Sequence, residues 1–536
     1  MTPTAGTPET GRRLDWLVVA LLAAAVLLQG GTSLRHKSLT FDELTYIPSG
    51  FTYVTTGDYR LNPEHPPLAK LLGGLGLVPL APALDTTDVS WRTADQWAFG
   101  RHFLETAGVD APRLVTAARL PVLGLLALLV FVAWLFARDL YGREAGLLAA
   151  WLCAFSPNLL AHGRLVTTDF PHAVFVLVAS YAFFLLARET SVRTAALAGL
   201  ALGLALVTKY TAILLPALAV VWVGGGWWMR RPLARGDGAR LASALIGSLV
   251  VAALVVTLTY QAPGRIDIYI RNLGALYTNV HGDLPAYLGG RFHEGRTWYY
   301  FVAAFLLKTP TALLALLVLR VADLIVRRDP DVPGSLHLLL PAALWFGAMS
   351  ATALPFGIRY VLPAYPLLIV WAAGVAASPH LRGRARPGLA RVSVGALALL
   401  FAAGSIRAWP HYLPYFNVLA GGPERGIEWL DDSNVDWGQD LPLLRDWLVE
   451  HGVEDAVVVP MALYDPGLYR VPGRVATPNE VLPLLMRPDP PPGVYAVSAH
   501  LLTRARWGGV PEVDPLRDLR PAAVLGHSIY VFVIEG

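Results

Sequence analysis

Apolar runs long enough to bury a helix in lipid recur along most of this chain, separated by short connections that carry Arg, Pro or Gly. A helix needs about 20 apolar residues to cross the hydrocarbon core, and fewer when it is tucked inside a bundle. By that measure the candidate spans are 14–33, 116–137, 145–162, 170–187, 194–208, 211–228, 241–260, 298–319, 336–354, 358–377 and 391–409. Backbone without water must bond within its own segment, so these runs are predicted as helices and not strands. Past His411 the pattern changes: 456–460, 494–498 and 529–534 read as short strands and 441–451 as a helix.

The Arg-bearing connections fix an orientation. They fall at Arg12-Arg13, 138–143, 188–193, 230–240, 320–328 and 382–391. All lie on the cytoplasmic side only if 194–228 crosses twice, with a turn near Thr208-Lys209-Tyr210. The expectation is about eleven spans, N-terminus inside and C-terminus outside. The first run follows two arginines as a signal peptide would, but Gln29-Gly30-Gly31-Thr32 is a poor cleavage site, so an uncleaved span is expected. Three long segments then face outward: 34–115, 262–297 and 410–536. The first is too long for a simple connector. Its Trp91, Trp97 and Phe99 suggest helices lying on the membrane surface. The fold class expected is an all-α polytopic membrane unit over 1–409, with a small extracytoplasmic α/β domain over 410–536. Within that domain Pro488-Asp489-Pro490-Pro491-Pro492 reads as a rigid turn.

Composition agrees. Of 536 residues 55% are hydrophobic and only 15% charged, with mean hydropathy +0.49; soluble domains sit near a quarter charged. The net charge of +4 carries no basic run with interleaved aromatics, so no nucleic-acid partner is expected. Cys153 is the lone cysteine and forms no internal disulfide. No zinc-helix motif, phosphate-binding Gly-rich loop or cysteine pair occurs, and Gly224-Gly225-Gly226 marks a span end. The sequence therefore calls for no cofactor, with a divalent cation as the one candidate.

Polar chemistry concentrates after the first span. Asp42-Glu43 stands in Phe41-Asp42-Glu43-Leu44-Thr45-Tyr46, followed by Gly57-Asp58-Tyr59 and Glu64-His65-Pro66-Pro67-Leu68. An Asp-Glu pair in a loop is either a solvated acidic turn or, when partly desolvated, a general base of raised pKa. Such a base would take the proton of an acceptor hydroxyl attacking an anomeric carbon in one inverting displacement. Asp169, in Thr167-Thr168-Asp169-Phe170-Pro171, reads as an N-cap, a role that leaves it open to face a polar cavity as well. Arg119, Lys209 and Arg359 open outward helix ends, where the positive-inside rule disfavours them. They are either snorkelling residues or ligands of an anion such as a lipid phosphate. His65 is either a further ligand of that phosphate or an ordinary loop histidine.

These residues resemble the protein O-mannosyltransferase and aminoarabinose lipid A transferase superfamily, the membrane glycosyltransferases of the C fold, over roughly 14–410. The match is carried by Asp42-Glu43, the Gly-Asp-Tyr and Glu-His-Pro-Pro-Leu stretches, Arg119-Leu120-Pro121, Thr168-Asp169 and Ile358-Arg359-Tyr360. The resemblance implies a polyprenyl-phosphate-linked sugar donor and a protein, lipid or glycan acceptor, in a bacterial cytoplasmic membrane. It implies Asp42 as base beside Glu43, Asp169 shaping the acceptor site, and Arg119, Lys209, Arg359, Tyr360 and His65 toward the donor phosphate. His65 stands where the aminoarabinose branch often has a phosphate-binding lysine. The segments Tyr415–Pro423 and Asp432–Asp440 are similar to bacterial members of this group and unlike the inserted sugar-binding repeats of eukaryotic mannosyltransferases.

Two rival readings remain on sequence grounds. A lipid-linked sugar transporter or flippase should show inverted repeats with helices interrupted at matching positions, whereas here polar residues gather in one loop. A non-catalytic envelope assembly protein would use the tail as a binding module.

Overall fold

The computed structural model describes residues 9–229, 237–260, 266–279, 284–295, 297–327, 334–352, 354–378, 387–505 and 519–536. Among these, six helices are long and apolar enough to cross a membrane, or up to eight if each of two bent pairs is one span. The chain is a multi-pass membrane protein. Of the eleven runs expected, three form shorter apolar helices or helix pairs, Val192–Leu206, Tyr210–Gly225 and Ala364–Ala377, and two are broken; a further short apolar stretch is Leu68–Leu80. Leu68–Leu80 lies in the outward loop and not among the predicted spans.

Both breaks have a local cause. Pro157 and Pro310 remove a backbone donor and crowd the preceding turn. Arg143–Ala154 bends by 57° into Pro157–Gly163, and Tyr300–Lys308 by 110° into the helix starting at Thr311. The freed groups are met by side chains. Asn158 Nδ2 donates to the Lys308 carbonyl at 2.8 Å, joining one break to the other. Asn417 Nδ2 donates to the carbonyls of Leu306 and Thr309 at 2.6 and 2.8 Å. The predicted turn at Lys209 is present: Val192–Leu206 ends, Lys209 is extended and a 3-10 turn starts at Tyr210.

In the first outward segment the chain forms helices Glu43–Thr56, Leu68–Leu77, Val89–Thr93 and Gln96–Thr106. Their aromatics are not laid on lipid, as the sequence suggested. Trp91 and Phe99 are buried, Phe99 packs 6.4 Å from Phe103, and Trp97 packs 5.0 Å from Phe41. The amphipathic signal came from a protein-facing stripe. Helices Glu43–Thr56 and Leu68–Leu77 cross at Gly50 and Gly74, where a Cβ would fall 1.9 Å from the Lys70 carbonyl oxygen and 2.2 Å from that of Gly50.

The strands are β1 (Ala286–Leu288), β2 (Arg291–His293), β3 (Val457–Val459), β4 (Arg474–Val475), β5 (Gly493–Ser498), β6 (Ala523–Leu525) and β7 (Ile529–Ile534). β1 and β2 pair as a hairpin, and the other five form one sheet in the order β4-β3-β5-β7-β6. β3 runs parallel to β4 and β5, while β7 is antiparallel to β5 and β6. The predicted strands at 456–460, 494–498 and 529–534 are β3, β5 and β7, and the predicted helix is Leu441–Glu450. This outer unit shares one apolar core with the helices beneath it. Polar ties add to it: Lys37 Nζ donates to Asp440 and lies 2.8 Å from His411 Nδ1, and Ser528 Oγ donates to Asp440 at 2.6 Å.

Candidate active site

Two aspartates begin helices here without capping them. Asp42 precedes Glu43–Thr56 and Asp169 opens Asp169–Arg188, and neither helix has a side-chain cap hydrogen bond. An aspartate at a helix start normally accepts from the orphan amides. Both carboxylates turn to cations instead. Arg359 Nη1 donates to Asp42 Oδ2 at 2.6 Å and lies 3.7 Å from Asp169 Oδ2. Lys209 Nζ donates to Asp169 Oδ1 at 2.5 Å. Tyr360 underlies both cations, with Lys209 Nζ 4.5 Å and the Arg359 guanidinium carbon 5.4 Å from its ring centre. The N-cap reading of Asp169 is thereby replaced: Thr168 caps by position, and the Asp169 carboxylate belongs to the cluster.

Burial raises the Asp42 carboxyl above its ordinary value, and Arg359 opposes that rise. Asp169 and Asp432 press it upward as neighbouring negative charges.

Glu43 and Arg119 sit apart from this cluster. Arg119 Nε and Nη2 donate to Glu43 at 2.9 and 2.5 Å, and Nη2 also reaches the Ser38 carbonyl at 2.7 Å. Glu43 further accepts from the Val166 amide at 2.8 Å and the Thr40 amide at 2.9 Å. Both side chains are buried. Burial would raise the Glu43 carboxyl, but Arg119 and these amides bring it below its usual value.

His65 meets Tyr46 edge-on at 5.8 Å, and its buried Nδ1 has no hydrogen-bond partner among the described residues. Burial, then Lys209 and Lys70, hold its pKa well below the ordinary one, so the ring is neutral. Lys70 Nζ pins the loop by donating to the carbonyls of Asn62 and His65 at 2.6 and 2.7 Å. Among the described residues no three His, Cys, Asp or Glu side chains are grouped to hold a metal ion.

The sequence reading missed the tail's share of the site. Trp437 lies 4.3 Å below the Arg359 guanidinium, and Asp432 lies within electrostatic range of Asp42. A signal existed: four carboxylates, Asp431, Asp432, Asp436 and Asp440, fall within ten residues of an otherwise apolar-rich chain.

With this geometry in hand, the chain can be set beside known proteins. Residues 113–260 match the family model for dolichyl-phosphate-mannose-protein mannosyltransferase, in agreement with the resemblance read from the motifs. No curated protein matches in sequence. Among solved structures the chain is similar to ArnT from Cupriavidus metallidurans in the apo state, at 16% identity over 97% of this chain and 98% of that one, TM-score 0.49. It is similar to the same protein bound to undecaprenyl phosphate, at 16% identity over 98% of each chain, TM-score 0.47. It is also similar to the S. cerevisiae protein O-mannosyltransferase Pmt1-Pmt2 complex bound to the sugar donor, at 19% identity over 50% of this chain and 35% of that chain, TM-score 0.35.

Proposed function

We propose that this chain is a membrane glycosyltransferase that moves a sugar from a polyprenyl-phosphate carrier to an acceptor hydroxyl on the extracytoplasmic side. One observation carries the reading: Asp42 and Asp169 forgo helix capping to converge on Arg359, with Lys209 beside them. The donor class is the one that the matched family's description names.

In this mechanism Asp42 accepts the proton of the acceptor hydroxyl. The hydroxyl oxygen forms a bond to the anomeric carbon as the bond from that carbon to the phosphate oxygen breaks, and the lipid phosphate leaves with the electron pair. The displacement is single and inverting. Lys209 and Arg359, against the Tyr360 ring, stabilise the charge that grows on the leaving phosphate. Asp169 holds both cations in place through its contacts with each, and neutral His65 offers a hydrogen bond without adding charge. The Glu43–Arg119 pair fixes the loop that presents Asp42, a supporting role in place of the direct ones first expected of both residues. The acceptor is a protein, lipid or glycan, and the site lies on the outer face of a bacterial cytoplasmic membrane.

The test is transfer by the purified protein from a polyprenyl-phosphate sugar, with surface glycans and glycolipids compared in cells with and without the gene. Asp42→Asn should lower transfer by ~100-fold or more, the scale of a lost general base, at unchanged membrane abundance. Full activity in folded Asp42→Asn protein would sink the assignment, and unchanged glycans with an altered lipid-linked pool across the membrane would favour a flippase.

A further inference from the structure

The turn that carries Arg359 is gripped by the tail. Ser433 Oγ donates to the Phe356 carbonyl, and the Ile358 amide donates to Asn434 Oδ1 at 3.1 Å. Between them Gly357 adopts φ +108, and a Cβ there would lie 2.9 Å from the Ser433 hydroxyl and the Asn434 amide. Below the turn, the Trp437 ring supports the guanidinium at 4.3 Å. The same residue ties back to the base, because the Phe41 amide donates to the Trp437 carbonyl at 2.9 Å. Trp437 is buried and its own amide donates to Gln439 Oε1 at 2.7 Å. One side chain and its backbone thus span Asp42 on one side and Arg359 on the other.

Besides Asp169 and the Tyr360 ring, the guanidinium is held through Nε to the Phe356 carbonyl at 3.3 Å, through Nη1 to Asp42 at 2.6 Å, and by its face on Trp437. Nη2 makes no hydrogen bond among the described residues. A planar cation fixed in this way keeps one edge for a ligand oxygen and loses little freedom on binding it.

We propose that Trp437, aided by Ser433 and Asn434, is a positioning residue that orients Arg359 between Asp42 and an oxygen of the lipid phosphate. The phosphate half of this statement rests on the function proposed above, while the grip on the turn does not. The tail is then a wall of the active site, not a module appended to it.

The experiment uses purified full-length protein in nanodiscs with geranyl phosphate as the probe. Trp437→Leu should weaken probe binding by roughly tenfold, as loss of a desolvated cation–π contact implies, and Trp437→Phe should retain most of it. In an Arg359→Gln background Trp437→Leu should add nothing further, because its effect runs through the missing guanidinium. A loss that persists in that background, or no loss at all, overturns the positioning role. Hydrogen exchange of the peptide covering 354–362 supplies the second readout. It should quicken in Trp437→Leu and, more mildly, in Ser433→Ala, a variant that removes a single hydroxyl and should fold. If wild type fails to bind geranyl phosphate, the lipid-phosphate reading falls, yet exchange at 354–362 still decides the grip. Unchanged exchange in both variants overturns the proposal whatever the ligand.

Discussion

Asp42 is pulled two ways at once, upward by burial and by the carboxylates of Asp169 and Asp432, downward by Arg359. A base works in its deprotonated form, so activity falls as pH drops through its pKa, and a raised pKa moves that acid limb upward from where an ordinary aspartate would put it. Removing Arg359 takes away the opposing influence. In Arg359→Gln the acid limb of kcat/KM should therefore move to higher pH, on top of any loss in rate. An acid limb that stays put would mean that another group is the base. The neighbouring Glu43 should behave differently, although it is the adjacent residue and also an acid. Its carboxylate is spent on Arg119 and two backbone amides inside the protein. Glu43→Gln leaves Arg119 buried without its charge, a change worth about 3–5 kcal/mol when one member of a buried pair is lost. Thermal unfolding and membrane yield should drop in Glu43→Gln and hold in Asp42→Asn. Equal stability of the two would show that the Glu43–Arg119 pair supports nothing.

At the level of elements, the site depends on how closely two short helices approach. Gly50 and Gly74 let Glu43–Thr56 and Leu68–Leu77 touch backbone to backbone, and a methyl group at either would collide with a carbonyl within 2.2 Å. The first helix starts at Asp42 and the second carries Lys70, which pins the His65 loop, so forcing them apart moves both sides of the site. Gly50→Ala and Gly74→Ala should each cost about 1–3 kcal/mol, the range for an overpacked core, and lower transfer further than stability alone explains. Differential scanning of the purified variants beside their transfer rates checks this, and wild-type behaviour in both would remove the helix crossing from the account. Element identity was legible in the sequence wherever a long periodic run stood, as in Ala111–Tyr141 and Asp169–Arg188. The breaks at Pro157 and Pro310 were visible as prolines but lay inside apolar runs that hydropathy alone reads as continuous. Asp42 was picked out by the polar cluster in the loop after the first span, and Asp169, Lys209 and Arg359 by polarity at outward helix ends or turns. Their pairing was not, and neither was the diversion of Arg119 to Glu43, because a contact between Arg359 and Asp42 spans 317 positions and no local pattern encodes it.

For the whole molecule, the arginine distribution predicts the sidedness that places this site outside the cytoplasm. A reporter that works only outside should be active when fused after Gly536 or within 85–95, and silent within 232–238. The stretch 232–238 lies largely outside the described residues, so its side of the membrane rests on sequence alone. A silent fusion after Gly536 would mean an even number of spans and break the argument that places Lys209 outside. The shared core of the outer sheet and the helices was not legible either, since the change of hydropathy at His411 looks like a domain boundary while Asn417, Asn434, Trp437 and Asp440 all reach back across it.

The contact between Lys37 and Asp440 joins residues 403 positions apart, and that distance sets a clock. A membrane protein is threaded into the bilayer as it is made, so the loop bearing Asp42 emerges early and waits, through the insertion of every later helix, for the stretch around Trp437 and Asp440 to arrive. Until then Lys37 has no counter-ion and the Arg359 turn has no grip. A chain released before Trp437 would carry the apolar helices up to Pro387–Ala408 and still lack the ring that supports Arg359. Assembly order thereby leaves Lys37 and the Arg359 turn without these partners until the 433–440 stretch has been made.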